Sequence, residues 1–100
     1  MSLWYRKLMY FITGNKSHFL KGSEWTIGRH SSNDIVIPDP TVSRYHAVLR
    51  RSGLIFTVED LDSNQGSMVN RIPIKSSELQ GKEEIQLATV KCRLSPQPNT

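Results

Sequence analysis

Apolar and polar positions alternate along this chain in short bursts rather than at a helical spacing. Trp25 and Ile27 fall on one face of the segment Glu24–Ile27, and Ile35 and Ile37 on one face of Ile35–Ile37. Leu54, Phe56 and Val58 alternate with Thr57 and Glu59, while Val90, Cys92 and Leu94 alternate with Lys91 and Arg93. A period of two is the mark of a half-buried strand. It predicts strands over Lys7–Thr13, His18–Leu20, Glu24–Ile27, Ile35–Ile37, His46–Arg51, Ile55–Asp60, Met68–Val69, Glu83–Leu87 and Val90–Leu94. Turn-forming clusters separate them, among them Gly14-Asn15-Lys16, Lys21-Gly22-Ser23, Ser31-Ser32-Asn33-Asp34 and Asn64-Gln65-Gly66. No stretch holds a helical period for about ten residues. The best helical candidate is a single turn over Ser76–Leu79. Many short strands with regular turns predict an all-β chain folded as an antiparallel β-sandwich.

The 100 residues make one domain, and a hydrophobic fraction of 37% supports one modest core. No apolar run approaches the roughly 18 residues of a membrane span. The run from Leu8 to Ile12 is too short for a signal peptide, so a cytoplasmic location is expected. Cys92 is the single cysteine, which excludes an internal disulfide and fits a reducing compartment. Its place in an alternating run reads as a small buried hydrophobe rather than a nucleophile. Ser95-Pro96-Gln97-Pro98-Asn99-Thr100 lacks apolar residues, carries two prolines and reads as a tail or linker after a domain spanning 1–94.

The net charge of +4 suits anionic partners, phosphate among them. The basic residues are scattered from Arg6 to Arg93, without the stripe interleaved with stacking aromatics that nucleic acid would call for. More informative are three polar islands at strand ends: Gly28-Arg29, Ser43-Arg44-Tyr45-His46 and Asp62-Ser63-Asn64-Gln65-Gly66-Ser67-Met68-Val69-Asn70. Loops on a β scaffold are a common seat of binding sites. Arg29 offers a planar, permanently charged fork that matches phosphate oxygens, and Ser43 a hydroxyl donor. His46 opens an apolar strand and reads as a structural brace rather than a proton donor. The loop at Gly66 is either a ligand-holding loop or a plain hairpin turn.

Taken together, the islands resemble a forkhead-associated (FHA) domain. The resemblance rests on Gly28-Arg29, Ser43-x-x-His46 and Asp62-Ser63-x-x-Gly66-Ser67-x-Val69-Asn70, with support from Asn33-Asp34-Ile35-Val36-Ile37 and Leu79-Gln80-Gly81-x-x-x-Ile85. It runs from about Trp25 to Leu94. It implies an FHA/SMAD-like sandwich of two twisted antiparallel sheets with binding loops at one end. It also implies recognition of phosphothreonine in an extended segment of a partner protein, without catalysis, cofactor or metal, by a monomeric domain of a longer chain. By the same resemblance Arg29, Ser43 and Arg44 hold the phosphate, Asn64 faces the phosphothreonine, and Gln65 holds the peptide backbone. Gly28, His46, Gly66 and Asn70 shape the loops. Gln65-Gly66-Ser67 departs from the family's usual Asn-Gly-Thr, Arg71 from the common Gly after Asn70, and Ala88 from a frequent Gly.

Two other functions compete. Ser43, His46 and Asp62 are the residue types of a hydrolase triad, but no Gly-x-Ser-x-Gly elbow surrounds Ser43. Gly14-Asn15-Lys16-Ser17 lacks the Gly-Lys-Ser adjacency of a phosphate loop, and His18, His30, His46 and Cys92 lack metal-ligand spacing. The alternative within the same fold is a phospho-independent interaction or scaffold domain of a larger signalling or secretion protein, which the Gln65 departure keeps open.

Overall fold

The structure is a computed structural model that describes residues 8–98. Lys7, at the head of the first predicted strand, and Asn99 and Thr100 of the predicted tail lie outside the described residues. The described residues form two sheets. The first has six strands in the spatial order β2 (Lys16–Phe19), β1 (Tyr10–Thr13), β11 (Val90–Ser95), β10 (Ile85–Leu87), β7 (Ser67–Val69) and β8 (Ile72–Ile74). The second has five, in the order β4 (Ile35–Val36), β3 (Glu24–Gly28), β5 (Ala47–Ser52), β6 (Ile55–Asp60) and β9 (Ser76–Leu79).

The predicted sandwich is therefore present, with three differences in detail. First, β3 and β4 pair in parallel, Ile27 opposite Ile35 and Gly28 opposite Val36, while the other paired strands are antiparallel. A two-residue strand is only about 7 Å long, so the short loop between β3 and β4 suffices to return to its start. Second, Ser76–Leu79 is not a helical turn. It is an edge strand whose Leu79 and Ser76 pair with Phe56 and Glu59 of β6. Third, β8 was not predicted, because Pro73 interrupts its pattern; at a sheet edge a residue without an N–H is tolerated.

The inward faces are those the alternation marks. Trp25, Ile27, Ile35, Ile37, Leu49, Phe56, Val58, Leu79, Ile85, Leu87, Cys92 and Leu94 are buried in one core. Trp25 stacks on Phe56 with ring centroids 6.3 Å apart, and its indole N–H donates to Lys21 O at 2.8 Å. Leu54 breaks from its expected face: it sits in the β5–β6 turn and is exposed. Burial pushes the Cys92 thiol up to about 12, which keeps it protonated and unreactive at neutral pH. β11 extends through Ser95, read above as the start of the tail; Ser95 is buried and faces Tyr10.

Across the five-stranded sheet, Ile27 lies opposite Ala47 and Ala47 opposite Asp60. The end of β3, the start of β5 and the end of β6 thus lie side by side, and their loops emerge together.

Candidate functional site

The end of β3 and the loop before β5 touch backbone to backbone. Arg29 N donates to Ser43 O at 3.0 Å, and His30 N to Arg44 O at 3.2 Å. Gly28 makes this approach possible: a Cβ there would lie 2.1 Å from Arg44 O, a distance no side chain tolerates. Buried Asn33 closes the same junction, donating from Nδ2 to His30 O at 2.8 Å and to Arg44 O at 2.7 Å.

His46 joins this pair of loops to the third. Ser43 N–H donates to its Nδ1 at 3.1 Å, so that nitrogen carries no proton; the proton is on Nε2, which donates to Gly66 O at 2.9 Å. The ring is fully buried. A neutral imidazole with both nitrogens engaged is a brace, as the sequence predicts. The hydrolase triad does not assemble. The Ser43 contact to His46 comes from its backbone rather than its hydroxyl, and Asp62 instead accepts from Lys75 Nζ at 2.6 Å.

The third loop, 61–66, is built on Asp60. Ser63 and Ser67 hydroxyls each donate to Asp60 Oδ1 at 2.6 Å, and Ser63 N–H donates to Oδ2 at 3.0 Å. Gly66 N–H then donates to Ser63 Oγ at 2.8 Å. Burial alone would raise the Asp60 carboxyl, but these hydrogen bonds hold it below its ordinary value. Gly66 has a φ of 84°, which suits glycine. The loop is joined to the second island where Asn64 N–H donates to Ser43 Oγ at 2.9 Å.

Among the predicted site residues, Arg29, Ser43, Arg44, Asn64 and Gln65 are brought to one end of the sandwich. The Arg29 guanidinium is held by one bond, Nε to Val42 O at 3.0 Å, which leaves its two terminal amino groups outward. Neither Arg29 nor Arg44 has a carboxylate partner among the described residues, whereas Arg50 is shared between Glu24 and Glu59. Ser43 Oγ accepts from Asn64 and keeps its own proton to donate. The Arg44, Asn64 and Gln65 side chains are exposed.

Gly28, His46 and Gly66 shape these loops. Asn70 shapes a different one. Asn70 N–H donates to Glu84 O at 2.8 Å and Glu84 N–H to Asn70 Oδ1 at 2.9 Å, at the far end of β7 from loop 61–66. The residues missed as braces are Asn33, Asp60, Ser63 and Ser67. An acceptor three residues before a serine at a strand end, Asp60-x-x-Ser63, was a readable sign of a side-chain turn; the remote partners of Asn33 and Ser67 leave no local sign. No group of three or more His, Cys, Asp or Glu among the described residues is placed to hold a metal.

The loops at this end of the molecule carry an arginine fork, a second arginine without a carboxylate partner among the described residues, a hydroxyl donor and exposed amides. Such a set defines a β-sandwich that offers charge-assisted hydrogen bonds to an anionic group. Residues 25–88 match the FHA domain family, and the chain belongs to it. It is 47% identical over 72 residues to the oxoglutarate dehydrogenase inhibitor of Corynebacterium jeikeium, a match covering 71% of this chain and 50% of that one. It is 45% identical over 60 residues to the glycogen accumulation regulator GarA of Mycolicibacterium smegmatis, covering 60% and 38%. The chain thus spans half or less of the length of these relatives. The fold also superposes on Mycobacterium tuberculosis EmbR, solved in complex with a low-affinity phosphopeptide, with a TM-score of 0.84 and 26% identity, covering 94% of this chain and 26% of that one.

Proposed function

We propose that this chain is a non-catalytic module that recognises phosphothreonine in an extended segment of a partner protein. The observation that carries this reading is the Arg29–Ser43 pair. The Arg29 fork is anchored through Nε alone, so its terminal amino groups are available. The Ser43 hydroxyl beside it has its acceptor site filled and its proton free. A phosphothreonine carries about −1.5 to −2 charges and three acceptor oxygens, which match these donors. Arg44 adds charge, and Asn64 and Gln65 offer amides to the phosphothreonine and the peptide backbone. No cofactor is required for such binding.

The relatives named as an inhibitor and as a regulator support a regulatory role for the domain, which acts as a monomeric module of a longer chain. Its partner is a protein rather than a nucleic acid or a membrane, and the lone buried cysteine suits a cytoplasmic location.

Titration with a phosphothreonine peptide and its unphosphorylated twin tests the proposal. Binding is expected for the phosphorylated form alone. Arg29→Ala should weaken it by roughly tenfold to a hundredfold, since a hydrogen bond to a charged group contributes about 1.5–3 kcal/mol. Equal affinity for the two peptides would remove the phosphate from the site, and an unchanged Arg29→Ala variant would remove Arg29 from it. The exposed Gln65, in place of the family's Asn, favours a second reading, phospho-independent binding. Retention of a partner after phosphatase treatment would establish that instead.

A further inference from the structure

Two aromatic rings stand next to the arginines of the proposed site. Tyr45 follows Arg44, and His30 follows Arg29. Their rings stack with centroids 5.4 Å apart and planes at 27°. Tyr45 is 51% exposed, so a large aromatic surface lies open next to Arg44 in the chain. The pair is also wired. Ser32 N–H donates to His30 Nδ1 at 3.0 Å, and the Ser32 hydroxyl lies 2.9 Å from the same nitrogen. The Tyr45 hydroxyl lies 3.0 Å from Ser32 Oγ. With Nδ1 accepting from the Ser32 backbone it carries no proton, so the chain of donors runs from Tyr45 O–H to Ser32 Oγ and from Ser32 O–H to His30.

This arrangement decides what the ring can offer. The Tyr45 hydroxyl is already engaged, which leaves the ring's apolar surface as its outward contact. The bridge through Ser32 fixes the ring before any ligand arrives, which lowers the entropic cost of packing against it. Arg29 and Arg44 precede the two rings in the chain and have no carboxylate partners among the described residues, so their positive charge disfavours a basic side chain nearby. We propose that the His30–Tyr45 stack is a specificity platform that takes an aliphatic or aromatic side chain of the residue neighbouring the phosphothreonine. The inference rests on the phosphothreonine reading and names its sequence preference.

The test uses phosphothreonine peptides in which each neighbouring position is varied in turn among Leu, Tyr, Ser and Lys. At one position, Leu or Tyr should bind about three- to tenfold more tightly than Ser or Lys, the range of one aromatic packing contact. Tyr45→Ala should flatten that preference while leaving the Ser-flanked peptide within about twofold of wild type. Tyr45→Phe should keep the preference, because the ring surface rather than the hydroxyl makes the contact. A preference that survives in Tyr45→Ala, or a loss spread evenly over all peptides, overturns the platform while phosphate recognition stands. Phosphorylated peptides that bind no better than unphosphorylated ones overturn the phosphate reading and the platform with it. Circular dichroism of each variant guards against loss of fold, and the exposure of Tyr45 makes such loss unexpected.

Discussion

Gly28 carries a steric demand that Gly66, in the third loop, does not. Its φ is not positive; what it lacks is space, with Arg44 O in the position a Cβ would take and Asn33 Nδ2 2.8 Å from that position. Because the obstructing atom is backbone, it cannot swing aside as a side chain would. Gly28→Ala is therefore expected to lower unfolding stability by about 1–3 kcal/mol, the range for overpacking a close contact. It should also weaken peptide binding, since the shift falls on the loop that holds Arg29. Urea melts of the two proteins check the first effect; an unchanged midpoint would mean that the two strand ends need not touch. The structural roles of Gly28 and His46 were legible because each sits in a motif at a strand end. The role of Asn33 was not, because its two acceptors belong to residues 30 and 44, which only the fold brings together.

At the level of elements, the strands that bury an alternating face were readable, and those held chiefly by a neighbour's backbone were not. β9 offers the core only Leu79 along most of its length and owes its conformation to β6. β8 has no buried residue and owes its conformation to β7. The turn between β7 and β8 has two residues, Asn70 and Arg71, with φ of 51° and 69°. Positive φ at both positions is the type I′ signature, which favours Asn-Gly. Asn tolerates it; Arg, with a Cβ against the following carbonyl, does so at a cost. Arg71 is separated from Glu84 by 3.9 Å at 84% exposure, an ion pair worth little in water. Arg71→Gly is accordingly expected to stabilise the protein by about 0.5–1 kcal/mol. Thermal unfolding would show it as a raised midpoint, and a lowered midpoint would mean that the ion pair outweighs the backbone.

For the whole molecule, anchored carboxylates, Asp60 and Glu83 among them, link stability to pH. Glu83 accepts the backbone N–H groups of Gln80, Gly81 and Lys82 at 2.8–3.1 Å, before β10. Burial would raise its carboxyl, but those N–H groups hold it below its ordinary value. Asp60, at the end of β6, is lowered in the same sense, against its own burial, by Ser63 and Ser67. A carboxyl with a depressed value in the folded state binds its proton more readily when the chain unfolds. Its stabilisation is therefore complete above the ordinary carboxylate range, roughly pH 4–5, and is lost as pH falls through the depressed values. The melting temperature should fall between pH 7 and about pH 3. Asp60→Asn and Glu83→Gln should each lower it at pH 7 and make the remaining fall smaller. A pH dependence as steep in both variants as in the parent would place its origin elsewhere.

By itself, the sequence determined that the chain is a β-sandwich with polar loops at its strand ends and that Cys92 is buried. Alternation and strand-end motifs are local properties, written in neighbouring residues. Tertiary structure decided which sheet each strand joins and that β4 runs parallel to β3. It also decided that Asp60 anchors the third loop, and that His30 and Tyr45 meet face to face. Those outcomes depend on the pairing of segments far apart in the chain, where backbone hydrogen bonds and excluded volume, not neighbouring residues, select the partner.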